Sequence, residues 1–253
     1  MKQGFVKVAS ATPRIRVADP VYNAQVICEQ AKEAAEHGAK IVVFPELCIT
    51  GYTCNDLFLQ ELLLEKAKEA LLTIAEETGQ LETLFLVGLP VDKDGRLYNV
   101  AAVLYRGRIL GMIPKKNIPM YAEFYEGRHF TPGEETVTEY RLGKQVIPFG
   151  SNLLFRCEEL PELILGCELC EDLWVAEPPS TSHALMGATV IANLSASNET
   201  VSKDDYRTLL IKASSARLLC GYIYTSAGEG ESTQDLVFGG HDLIAENGTL
   251  LVH

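Results

Sequence analysis

The sequence predicts an α/β protein: one domain, laid out as a four-layer α-β-β-α sandwich with mixed sheets and internal pseudo-symmetry. Three observations lead there. Apolar residues make up 47% of the chain and aromatics 8%, a balance suited to packed sheets and helices. Apolar runs of strand length alternate with amphipathic segments of helix period, the pattern of layered α/β folds. The plan also repeats, each half offering strand, helix, strand, a reactive residue at a strand mouth and another helix. At 253 residues the chain can fill one large core, and no shift in composition marks a linker.

The first strand is expected at residues 5–9. Asp19-Pro20 reads as an N-cap with proline at the first helical position; Ala24, Cys28, Ala31 and Ala35 give the helix an apolar face, and Gly38 ends it. Residues 40–44 form a buried strand by their continuous apolar character. A second helix spans about 61–77, with Leu63, Ala67, Ala70, Leu71 and Ile74 on one side. Strands follow at 84–89, 100–105 and 108–113, the last two joined as a hairpin by Arg106-Gly107, so the sheet is mixed. From 114 to 135 the periodicity stops. A connection of that length is functional or disordered, and its tyrosines and phenylalanine favour order.

A hairpin about Leu142-Gly143 leads to a strand that ends at Cys170, and a short helix follows Pro178-Pro179. The strand at 188–192 runs into Asn193-Leu194-Ser195-Ala196-Ser197-Asn198, small polar residues suited to a substrate wall. The helix at about 204–220 is expected to bury Leu209, Leu210, Ala213 and Leu219. A strand at 221–225 and a hairpin about Glu246-Asn247-Gly248 complete the pattern, which His253 interrupts.

Totals exclude several functions. A formal net charge of −12 with no basic run argues against a nucleic-acid partner. Seven cysteines and no charged-then-apolar leader imply neither a disulfide framework nor a signal peptide, which places the chain in a reducing cytoplasm. No apolar run approaches the ~18 residues of a membrane span. The five histidines lack ligand spacing, so no metal site is expected, and no Gly-x-Ser-x-Gly elbow supports a serine hydrolase.

Chemistry concentrates at three strand mouths, where open α/β sheets present reactive groups. Cys170 follows the apolar run 163–165 and its turn, a position for a nucleophile if a cation and a base join it. Glu46 and Lys115 supply them: a carboxylate to take and return the proton, an ammonium to steady thiolate and oxyanion. The pair Cys167 and Cys170 also admits a redox reading, which the neighbouring Glu171-Asp172 opposes, and Cys167 reads as packing. Lys116 competes with Lys115; its spacing to Pro119 selects Lys115.

Phe44-Pro45-Glu46-Leu47, Lys115 before Ile118-Pro119, and Cys170-Glu171-Asp172 resemble the Glu-Lys-Cys triad of the nitrilase/amidase superfamily. Thr50-Gly51-Tyr52 with Asp56-Leu57-Phe58, Tyr121-x-Glu123-Phe124-Tyr125-Glu126, Leu173-Trp174 with Pro178-Pro179-Ser180, and the 193–197 stretch are similar to one branch, the N-terminal glutaminase domains of glutamine-dependent NAD synthetases. The resemblance runs from about residue 5 onward and implies a nitrilase-like sandwich over 1–253 that hydrolyses glutamine through a cysteine thioester. It implies Glu123 as a supporting glutamate for the lysine and substrate, and Tyr121, Glu171 and Ser197 as lining the glutamine pocket, with the Glu171 amide beside Lys115 at the oxyanion.

Released ammonia would then pass to a synthetase domain that uses ATP and Mg2+. No phosphate-binding loop for it is present, so the chain is expected to be truncated before that domain, and no cofactor is expected in this one. A homo-oligomer is expected of such a sandwich. A free-standing aliphatic or N-carbamoyl amidase and a non-catalytic docking domain stay open as alternatives.

Overall fold

The computed structural model describes residues 4–253. Two sheets lie face to face with helices outside them. The first has seven strands in the order β1-β2-β3-β4-β5-β7-β6: β1 (Val8–Ser10), β2 (Ile41–Val43), β3 (Leu84–Lys93), β4 (Arg96–Tyr105), β5 (Arg108–Pro114), β6 (Thr138–Leu142) and β7 (Gln145–Phe149). The second has six, in the order β13-β12-β11-β10-β9-β8: β8 (Phe155–Arg156), β9 (Ile164–Leu169), β10 (Val190–Ser195), β11 (Gly221–Ser226), β12 (Leu243–Glu246) and β13 (Thr249–Val252). Strands β1 to β3 and β9 to β11 are parallel within their sheets, and the hairpin strands beside them run antiparallel. Both sheets are mixed, as expected.

Helices α1 (Pro20–Glu36) and α2 (Glu61–Glu77) cover the first sheet. Asp19 does cap α1, accepting from the Tyr22 amide at 3.1 Å. Ala24, Ile27, Ala31, Leu71 and Ile74 pack there against Val42, Phe85 and Val87. Helices α3 (Pro179–Leu185) and α4 (Lys203–Leu218) cover the second sheet. Between the sheets Val43, Leu86 and Val103 meet Leu169, Ala192 and Ile223, and Cys167 packs among them. This inter-sheet layer excludes water and holds the strand ends of both sheets in one fixed relation.

Two expectations fail. The hairpin β3–β4, turning at Asp94-Gly95, extends both strands beyond the expected bounds, although Asp-Gly is a strong turn signal. Helix α4 buries Arg207, Ile211, Ser214 and Ser215, while Leu209 (63% exposed), Ala213 and Leu219 (77% exposed) face outward. Hydrophobicity mispredicted this face because the helix sits on a polar wall whose partner is the Arg207 guanidinium. Among the described residues no helix is long and apolar enough to cross a membrane.

Candidate active site

Three strand ends converge on one cleft. Glu46 follows β2 in a turn where Leu47 takes a left-handed φ of 52°. That turn docks directly on β3 at Gly88: a Cβ there would lie 2.2 Å from the Leu47 amide nitrogen, so only glycine permits the approach. Lys115 follows β5, its amide bonded to the Asn99 carbonyl at 2.8 Å. Cys170 follows β9 with φ 41° and opens a 3-10 turn over Cys170–Leu173. A left-handed non-glycine at Cys170 turns its side chain out of the sheet, at a cost of about 1 kcal/mol or more.

Asp172 fastens two of these ends together. One of its oxygens accepts from the Asn117 amide and side chain, each at 2.8 Å, and the other from the Leu169 amide at 3.0 Å. The segment after Lys115 is thereby tied to the segment before Cys170.

The lysine sits fully buried between two carboxylates: Nζ donates to Glu46 Oε1 at 2.7 Å and to Glu126 Oε1 at 2.6 Å. Burial works against its charge, but Glu126 and Glu46 outweigh burial and hold its pKa well above the ordinary lysine value. An ammonium has three N–H bonds, so one is left over. Asn99 Nδ2 donates to Glu46 Oε1 at 2.7 Å, whereas Glu46 Oε2 is buried without any partner. Burial, with Glu46 next, pushes the Cys170 thiol far above its usual range, and Lys115 opposes them. The Cys170 side chain therefore rests as a thiol.

Glu126, not Glu123, is the second carboxylate on the lysine. The resemblance implies Glu123 in that role, but a 3-10 turn at Glu126–Arg128 carries Glu126 inward, where Tyr52 also donates to it at 2.9 Å. Desolvation raises the Glu126 pKa, with Lys115 opposing and Glu46 adding. Glu123 instead accepts from Asn198 and lines the open cavity beside Cys170.

That cavity measures about 290 Å³ and is bounded by Tyr121, Glu123, Glu171, Ser197 and Lys203 around Cys170. The three expected pocket residues thus meet on one cavity. Tyr121 donates to Glu171 at 2.9 Å, and Arg207 donates to the Ser197 hydroxyl at 3.3 Å. Lys203, which sequence reasoning missed, reaches over the rings of Phe124 (5.7 Å) and Trp174 (5.3 Å) and donates to Asn198. Burial lowers its pKa. Lys116 pairs at the surface with Glu135 at 2.5 Å.

Asn99 was legible as a polar residue inside an apolar strand, and Gly88 as a glycine inside another. Glu126, Tyr52 and Lys203 carried no local signal that separated them from neighbouring polar residues. All seven cysteines are free, and no group of three or more His, Cys, Asp or Glu among the described residues is placed to hold a metal ion.

A two-sheet sandwich with a thiol, an ammonium and a carboxylate at its strand mouths, and a second carboxylate turned in from the loop after β5, defines a class, and the family comparison agrees: the family model for carbon-nitrogen hydrolases matches residues 7–252. The chain belongs to the carbon-nitrogen hydrolase family. Within it, the chain is 43% identical over 250 residues to the glutamine-dependent NAD(+) synthetase of Mycobacterium tuberculosis, covering 99% of this chain and 37% of that protein. The crystal structure of a glutamine-dependent NAD(+) synthetase from Cytophaga hutchinsonii superposes with a TM-score of 0.88 at 29% identity, over 98% of this chain and 40% of that one. An amidase from Nesterenkonia sp. shares the fold, with a TM-score of 0.76 at 21% identity over 99% of this chain and 86% of its own. The chain therefore spans well under half the length of the synthetases it matches.

Proposed function

We propose that this chain hydrolyses the side-chain amide of glutamine through a cysteine thioester and supplies the ammonia to an NAD synthetase domain. The observation that carries the chemistry is Glu46: one oxygen is held by Lys115 and Asn99, and the other is buried and bare. Cys170 Sγ attacks the amide carbon while its proton passes to Glu46 Oε2. The oxyanion so formed takes the unused N–H of Lys115 and the Glu171 backbone amide. As the tetrahedral species collapses, Glu46 returns the proton to the leaving nitrogen and ammonia departs, leaving the acyl group on sulfur. A water then attacks the thioester with Glu46 again as base, releasing glutamate and restoring the thiol.

Glutamine fits the cavity by charge. Its α-carboxylate would meet Lys203, and its α-ammonium the carboxylates of Glu171 and Glu123, with Tyr121 and Ser197 completing the walls. A simple aliphatic amide would leave these groups unused. ATP and Mg2+ belong in this reading to the synthetase portion of the relatives, beyond the 37% that this chain matches. A reducing cytoplasm suits seven free cysteines and an essential thiol. The exposed Leu185 on α3, Leu209 on α4 and Leu219 after it support a homo-oligomer that covers them.

Ammonia release from glutamine, set against acetamide, propionamide and N-carbamoyl amino acids, tests the assignment. Glutamine is expected to show the highest kcat/KM by at least about tenfold, and preference for any of the others would replace this reading with a free-standing amidase.

A further inference from the structure

We infer that Glu231, in the loop after β11, is a positioning residue for the catalytic carboxylates, acting through Tyr52. This inference rests on the amide chemistry proposed above and adds a residue to it.

Tyr52 begins the 3-10 segment Tyr52–Leu59, whose first backbone amides have no partner within that segment and no side-chain cap from the preceding Gly51. A carboxylate from a remote loop supplies the missing acceptors. Glu231 Oε1 accepts from the Tyr52 amide at 2.6 Å; Oε2 accepts from the Thr53 amide at 3.0 Å and the Thr53 hydroxyl at 2.5 Å. The Thr53 hydroxyl oxygen in turn accepts from the Ser232 amide at 2.9 Å.

Both backbones are locked where they meet. A Cβ on Gly230 would fall 1.9 Å from the Ile15 carbonyl oxygen, and one on Gly51 would fall 3.1 Å from Ile15 Cδ1. The other end of Tyr52 explains why such an anchor matters. Its hydroxyl donates to Glu126 Oε1, the same atom that receives Lys115, and Lys115 reaches Glu46. Four hydrogen bonds therefore join Glu231 to the general base.

A carboxylate is required because three donors converge on two oxygens. A carboxamide would turn an N–H toward one of them. Among the described residues Glu231 makes no salt bridge; the titratable groups that face it are the thiols of Cys48 and Cys54. Those that face Glu126 are Lys115, Glu46, Tyr52, Cys170 and Glu171.

The test compares Glu231→Gln, Tyr52→Phe and the double variant by kcat and KM for glutamine, and by the pH dependence of Cys170 alkylation with iodoacetamide, read on the Cys170 peptide by mass spectrometry. Glu231→Gln is expected to lower kcat about tenfold, the scale of one charge-assisted hydrogen bond, with KM nearly unchanged. The alkylation midpoint should move to lower pH, because Glu126 loses a donor that favours its charged form and that charge is one of those holding the Cys170 thiol up. The double variant should be no worse than Tyr52→Phe.

Losses that multiply, or an alkylation midpoint that stays put while thermal stability alone falls, would overturn the inference. If Glu231→Gln does not fold, Thr53→Val removes one donor and keeps both backbone amides; it should shift the midpoint in the same direction, and no shift would overturn the inference equally. Alkylation needs no glutamine, so an inactive wild-type protein would sink the glutaminase reading while the role of Glu231 was still decided.

Discussion

The two halves of the molecule follow one plan and divide the work. The series β1-α1-β2-α2-β3-β4-β5 matches β9-α3-β10-α4-β11-β12-β13 element for element, and each set forms one sheet in unbroken order. The halves differ in where the reactive side chain leaves the sheet. In the first half Glu46 follows the second strand; in the second half Cys170 follows the first strand, and the second strand leads into the Ser197 wall. The shared plan therefore does not place equivalent residues at equivalent mouths.

The halves also differ in their helices. Helices α1 and α2 bury apolar faces, whereas α4 buries an arginine and two serines around Ile211. Arg207 donates to Glu199, to the Asn198 carbonyl and to Ser197, so this helix shapes the Ser197 wall of the cavity at the expense of hydrophobic packing. The first half concentrates the buried charges, and the second supplies Cys170 and shares the cavity with the loop after β5.

The strongest way to break this division is Lys115→Met. It leaves Glu46 and Glu126 buried without their cation, so ammonia release should fall at least about 1000-fold and urea unfolding should show a loss of about 3–5 kcal/mol. Near-normal turnover would remove the lysine from the chemistry. Next, Glu126→Gln should cost about 100-fold in kcat, while Glu123→Gln should mainly raise KM; the reverse pattern would restore Glu123 as the lysine's partner.

Gly88→Ala should destabilise by about 2–3 kcal/mol and reduce kcat, because the new methyl displaces the Glu46 turn; a stable, fully active variant would refute that docking.

A pH measurement sharpens the comparison from the second half. Burial raises the Glu168 pKa to about 7, against Tyr222, which donates to it. A raised carboxyl pKa means the native state binds the extra proton between the unfolded value of about 4.3 and the native one of about 7. This group's contribution to stability is complete at low pH and declines as pH rises across that window. Unfolding free energies of wild type minus Glu168→Gln should therefore fall from pH 4.5 to pH 7. A flat difference would show that Glu168 does not titrate there. The smallest effect belongs to α4: Leu209→Ala should change monomer stability by less than about 0.5 kcal/mol, against about 3 kcal/mol for Ile74→Ala in the first half. A larger Leu209 effect, with a change of mass by light scattering, would show that face to be covered in an assembly.

Much of the site was legible because Glu46, Lys115 and Cys170 each stand at the end of an apolar run, and a strand mouth is a place a sequence can mark. Helices α1 and α2 were equally plain, since an apolar stripe at helical period names its own buried face. The failures share a cause. Glu123 and Glu126 lie three apart in an aperiodic loop, where no period says which side chain turns inward. The buried face of α4 is polar, so a rule that places leucine inside pointed the wrong way.

The amino-acid order by itself determined the α/β layering, the three reactive strand ends and the family, because these rest on local periodicity and short motifs. Tertiary structure decided that Glu126 holds the lysine, that Glu46 keeps one oxygen bare, that Gly88 admits the Glu46 turn and that Arg207 stands behind Ser197. Each of those is a meeting of residues distant along the chain, and only the packed sheets determine which of many similar polar groups arrive within hydrogen-bond reach.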